Sequence, residues 1–107
     1  MSTPAFDFER VAEDLMAVAA NVRIGEVFGV PALTADGRAV AALDEKAGGM
    51  AFKLTDDGAR DEAMGLDGAD AWDPRSSGRA VADWVLVPHE HADAWADLAR
   101  RAVDAYL

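Results

Sequence analysis

The sequence predicts an α+β domain of two layers, an antiparallel sheet of about five strands with helices packed on one face. Three observations carry this reading. Apolar residues recur at helical spacing near both ends, at Phe8, Val11, Leu15, Val18 and Val22 and again at Trp95, Leu98, Ala102 and Tyr106. Between them lie short runs rich in valine, phenylalanine and tryptophan, the composition of strands. Compact turns join these runs, most clearly Asp36-Gly37, and tight links make successive strands antiparallel neighbours.

The elements follow in order. Thr3-Pro4 offers an N-cap and a proline at the first helical position, with Asp7 as an alternative start. The helix that begins there is expected to end between residues 21 and 25. Residues 26–30 read as a strand through Val27, Phe28 and Val30, and Pro31 requires an open ladder there, at an edge or a bulge. Residues 32–35 and 38–43 flank Asp36-Gly37, whose type I′ turn needs positive φ at both positions. After a polar loop, Met50, Phe52 and Leu54 alternate with Ala51 and Lys53, giving a strand with one buried face. Thr55-Asp56-Asp57 marks a short helix ending near Gly65 or Gly68. Residues 67–78 read as irregular. Residues 80–87 form a strand with Val81, Val85 and Val87 on one face and Trp84 and Leu86 on the other, stopped by Pro88. The second long helix runs from about His89 to the end.

Composition narrows the function classes. A chain of 107 residues forms a single domain, here residues 1–107, able to bury one modest core. It has no cysteine, which removes disulfides, thiol catalysis and cysteine-ligated metals. No apolar run approaches the roughly 20 residues of a membrane helix. The first seven residues lack the basic start and apolar centre of a signal peptide. A soluble cytoplasmic protein without membrane association is therefore expected. Ten Lys and Arg stand against 20 Asp and Glu, a net charge of −10. The cations are scattered, so nucleic-acid binding is disfavoured; the acidity suits solubility or a basic partner.

The strand-and-turn stretch carries a family resemblance. Val27-Phe28-Gly29, the hairpin at Asp36-Gly37 and "MAFKLTDD" at residues 50–57 resemble the N-terminal domain of the TfoX family. The ending "DWVLVP" at residues 83–88, followed by a helix, is similar to the MmcQ/YjbR-like proteins. The resemblance spans most of the chain in element order and implies a curved sheet with helices on one side. It also implies a regulatory role, since the family is named for a regulator of bacterial competence. Relatives carry arginine and methionine ahead of the Phe-Gly pair; here Gly25, Glu26 and Val27 stand there.

No catalytic constellation is visible. His89-Glu90-His91 lacks third and fourth ligands at metal-binding spacing and reads as a solvated helix start. Ser76-Ser77-Gly78-Arg79 lacks the glycine spacing and lysine of a phosphate loop and leads into a strand. No GxSxG motif occurs, and Asp56-Asp57 and Asp61-Glu62 suit a helix N-terminus better than paired catalytic acids. Trp72 lies in a polar stretch beside Pro74, either as a partly exposed platform or as a plug for the open end of the sheet. Trp84 and Trp95 fit the apolar faces of their elements. Lys53 lies opposite the Met50-Phe52-Leu54 face, either as a solvated lysine, the default reading, or directed at a ligand on an uncovered sheet surface. The surface candidates are Phe28, Lys53, Trp72 and Arg79. The expected function is a non-enzymatic regulatory or interaction domain without cofactor, working through self-association or a protein partner at a sheet face or edge strand. The alternative is a small-molecule binder or enzyme with a pocket near residues 72–79.

Overall fold

The computed structural model describes residues 2–105. The chain runs α1 (Pro4–Val18), β1 (Val22–Val27), β2 (Val30–Ala35), β3 (Arg38–Asp44), β4 (Gly49–Lys53), α2 (Asp57–Met64), β5 (Asp70–Ala71), β6 (Trp84–Pro88), a 3-10 turn (His89–Ala94) and α3 (Trp95–Asp104). The six strands form one sheet in the order β1-β2-β3-β4-β6-β5, and every pairing is antiparallel. The fold is the expected α+β arrangement, with one strand more than about five. The extra strand, β5, is two residues long and lies inside the segment read as irregular; its pairing with β6 is a long-range event that local pattern does not announce.

The helical layer rests on one face. Phe8, Val11, Ala12 and Leu15 of α1, Ala59 and Ala63 of α2, and Trp95, Leu98, Ala99, Ala102 and Val103 of α3 pack on sheet residues that include Leu33, Leu43, Met50, Phe52, Val85 and Val87. Burial of these apolar side chains is the main driving force of the fold. Each helix start is built as its residues dictate. Thr3 accepts the Phe6 N–H at 3.1 Å with Pro4 at the first helical position. Asp56 accepts the Ala59 N–H at 2.8 Å.

The first helix stops earlier than its apolar spacing suggests. It ends at Val18, and Ala19 already has an extended backbone (φ −134°, ψ 107°). Val18 is 73% exposed, whereas Val22 is fully buried as the first residue of β1. The interval from Val18 to Val22 fits a helical stripe by number alone, but the sheet takes Val22. Phe28 and Gly29 then form a turn (φ 50° and 79°) between Val27 and Val30, rather than the middle of a strand. Asp36 and Gly37 (φ 52° and 81°) make the second such turn, as expected.

Pro31 sits in β2 where the ladder is open. It pairs with Glu26 of β1, but pairing with β3 begins only at Ala32. A bulge follows: Leu33 faces Ala41 while Thr34 faces Ala39, so Val40 is the extra residue. The bulge turns Val40 and Ala41 to the helix side together, which explains an apolar run in β3 without strict alternation.

The last strand is shorter than expected, starting at Trp84. Asp83 has positive φ (68°), which breaks the alternation and sends Val81 to the side of Trp84 and Leu86, not that of Val85 and Val87. The second long helix begins at Trp95 after the 3-10 turn, with Trp95, Leu98 and Ala102 buried; Tyr106 lies outside the described residues.

Candidate functional site

The sheet face away from the helices was expected to be uncovered, and this is corrected. A second, smaller core occupies it. Ala32, Ala42 and Ala51, one from each of three adjacent strands, form a floor of small side chains on which Trp72 and Trp84 lie. Larger residues at those alanines would leave no room for two indoles. Residues 72–83 fold over this face and are laced to it: Trp72 N–H reaches Trp84 O at 3.2 Å, and Val81 N–H reaches Trp72 O at 2.8 Å. Leu54 N–H donates to Asp83 O at 2.8 Å, and Arg60 donates both to the Asp83 carboxylate (3.1 Å) and to Leu54 O (2.9 Å).

Trp72 is only 1% exposed, so it plugs the sheet and presents no open platform. Its Nε1 donates to Asp44 Oδ2 at 3.0 Å, satisfying the one polar atom of a buried indole. Trp84 lies against it with ring centroids 5.0 Å apart. Phe28 meets Trp72 edge-on at 5.7 Å and remains 41% exposed, and Arg75 lies over the Phe28 ring at 5.5 Å. Positive φ is costly for an aromatic residue, on the order of 1 kcal/mol, and the ring's contacts at the edge of the second core offset it. Arg79 is exposed and shares a small cleft with Phe28 and Arg75. Lys53, half-buried on β4, is paired in register with Trp84. The structure thus gathers Phe28, Trp72 and Arg79 around one loop.

Sequence reasoning missed the residues that organise that loop. Asp73 accepts N–H bonds from Ser77 (3.1 Å) and Gly78 (2.8 Å), and these donors, Ser77 first, hold its carboxyl below the usual carboxylate range. Asp44 accepts the Ala47 N–H at 3.1 Å besides the Trp72 indole. The string Asp73-Pro74-Arg75-Ser76-Ser77-Gly78 carried the signal, an Asx-type turn closed by glycine. Asp44, Lys46, Arg75 and Ser76 line a cleft of about 330 Å³ between the β3–β4 turn and this loop.

The two histidines are structural partners. His89 Nε2 lies 2.5 Å from Asp7 Oδ2, joining the start of the 3-10 turn to α1 across 82 residues of sequence. His91 Nε2 lies 2.7 Å from Asp67 O.

The two sheet edges differ. The β5 edge is two residues long and bears Asp70, whose carboxylate accepts the Ala71 N–H. The β1 edge is six residues long, and Arg23, Ile24, Gly25 and Glu26 are all exposed. Val27 and Val30 close a two-residue hairpin, so Val27, Gly25 and Arg23 bond inward to β2. Asp36 N–H donates to Asn21 O at 3.1 Å, continuing that alternation. Ile24 and Glu26 therefore point their backbone N–H and C=O groups outward. At Val22 the outward carbonyl is covered by the Arg23 guanidinium at 2.8 Å. Among the described residues no helix is long and apolar enough to cross a membrane. No protein-family model, curated protein or solved structure matches this chain.

Proposed function

We propose that this chain is a non-enzymatic interaction module of the cytoplasm that binds an extended segment of a partner protein along β1. The observation that carries the reading is the outward N–H and C=O groups of Ile24 and Glu26, in the stretch 23–26 of β1 where every residue is exposed. Proteins normally blunt such an edge, as this one does at β5 and at Val22, because unpaired strand groups recruit another strand. Strand addition supplies affinity through main-chain bonds and specificity through alternate side chains.

Charge selects the partner. With net charge −10 and Glu26 on the edge, a segment alternating apolar and basic residues is favoured. Two copies of the chain repel one another by the same argument, so self-association is the lesser expectation. The likeness to TfoX N-terminal and MmcQ/YjbR-like domains supports a regulatory setting for this binding through the order of its elements.

The test uses isotope-labelled protein titrated with eight-residue peptides alternating valine with lysine or with glutamate. The lysine peptides are expected to shift and protect the Ile24 and Glu26 amides at lower concentration than the glutamate peptides. Ile24→Pro removes an outward N–H without touching the β1–β2 ladder and should abolish the effect. Light scattering over a concentration range reports self-association. The reading fails if no peptide perturbs β1, or if Ile24→Pro binds as well as the parent.

A further inference from the structure

Lys46, Arg75 and Arg79 are three of only ten cations in a chain with 20 carboxylates. Acidic partners are in surplus, yet among the described residues these three form no salt bridge and donate no side-chain hydrogen bond. They converge on the two faces of the loop after β5. Lys46 and Arg75 line the cleft of about 330 Å³, and Arg75 and Arg79 line the adjoining one of about 160 Å³.

Two carboxylates stand in the same walls, and both are already engaged. Asp44 gives one oxygen to the Trp72 indole and the other to the Ala47 N–H. Asp73 gives one oxygen to Ser77 N–H and the other to Gly78 N–H. Each carboxylate oxygen in the cleft thus already accepts an internal N–H, while the ammonium of Lys46, the guanidinium of Arg75 and the hydroxyl of Ser76 have no hydrogen-bond partner among the described residues. Phe28 holds the Arg75 guanidinium by its ring face, which leaves the donor edge of the fork open. Two cationic donors without a carboxylate partner, converging on one cleft, suit an oxyanion, although the charges of Asp44 and Asp73 oppose it.

We propose that this cleft binds a small organic oxyanion, its phosphoryl or carboxylate group gripped by Lys46 and Arg75. The volume is at the lower end for small-molecule sites, which limits the ligand to a small metabolite. Arg79 adds positive potential from the adjoining cleft. The negative field of the whole chain opposes binding, so the affinity is modest.

Phenyl phosphate, inorganic phosphate and benzoate, each titrated into isotope-labelled protein at ionic strength held with sodium chloride, test the proposal. Saturable shifts are expected at the Ala47 and Ser76 amides and at the Trp72 indole. Arg75→Gln and Lys46→Gln should each weaken the binding about tenfold, the effect of losing one charge-assisted bond. Arg10→Gln, which alters a cation on α1 outside this cleft, should leave it unchanged. Preference for the phosphates over benzoate names a phosphoryl ligand, and the reverse a carboxylate. Shifts that never saturate and match those from sodium chloride alone overturn the proposal, as does saturable binding unaltered in both cleft variants. Melting curves verify that the variants remain folded.

Discussion

The same substitution, tryptophan to phenylalanine, should have opposite character at two buried sites. Trp72 and Trp95 are 1% and 0% exposed, so either change deletes part of an indole from a packed interior. By analogy with other large-to-small changes the lost atoms and the resulting void cost about 1–2 kcal/mol at each position. The polar atom separates them. Trp72 Nε1 is bonded to Asp44, and deleting it removes a bond to a charged acceptor, about 1–2 kcal/mol after allowing for water reaching the half-buried carboxylate. Trp95 Nε1 is buried with no hydrogen-bond partner among the described residues. Removing that donor relieves a desolvation penalty of about 1–3 kcal/mol, which offsets the void. Trp72→Phe should therefore destabilise by roughly 2–4 kcal/mol, and Trp95→Phe by less than about 1 kcal/mol or not at all. Urea unfolding at neutral pH measures both, with the remaining two tryptophans as fluorescent reporters. A Trp95→Phe protein as damaged as Trp72→Phe, or more so, would refute the reasoning. A double-mutant cycle with Asp44→Ala isolates the bond: once Asp44 is gone the Trp72 indole N–H has lost its acceptor, so Trp72→Phe should cost less than its void, as at Trp95.

Two further outcomes follow from the geometry. A methyl group added at Gly49 would lie 2.5 Å from the Val87 carbonyl oxygen and 3.2 Å from Pro88 Cα, both backbone of the paired strand. Gly49→Ala should cost about 2–3 kcal/mol, read as a lower urea midpoint at unchanged slope; a cost under about 0.5 kcal/mol would mean β4 and β6 are not so closely paired. The Asp7 carboxyl is held below the usual carboxylate range, chiefly by the His89 hydrogen bond. A folded value below the unfolded one stabilises above about pH 4 and is lost as the pH falls through the folded value. The parent's advantage over Asp7→Asn should shrink steadily from pH 5 to pH 2 in urea titrations, and an advantage that is flat or grows towards acid contradicts the pairing.

Much of the fold was legible where a residue's role is local. Thr3-Pro4 and Asp56 start helices because their caps and ring geometry act within one turn. Asp36-Gly37 sets a hairpin because its backbone requirement is intrinsic to two residues. Met50, Phe52 and Leu54 declare a buried face because strand side chains alternate. Of the surface candidates, Trp72 and Arg79 were read in the segment that forms the loop, whereas Phe28 was read into a strand and the carboxylates that build the loop went unread. Their role depends on which backbone N–H groups fold back to meet them.

The rest required the packed chain. Val22 continues a helical spacing by number, yet the sheet claims it, because a fully buried strand position outweighs one more turn of an exposed helix end. Phe28 occupies a left-handed turn position that its side chain disfavours, and only the edge of the second core explains its presence. Ala32, Ala42 and Ala51 look unremarkable in sequence; three strands in register turn them into a floor for two tryptophans. The closing of residues 72–83 over that floor, and of His89 onto Asp7, joins segments far apart in the chain. Local propensity carries caps, turns and alternation, whereas the second core, the open β1 edge and the unpaired cations come from long-range contacts that no short window of sequence contains.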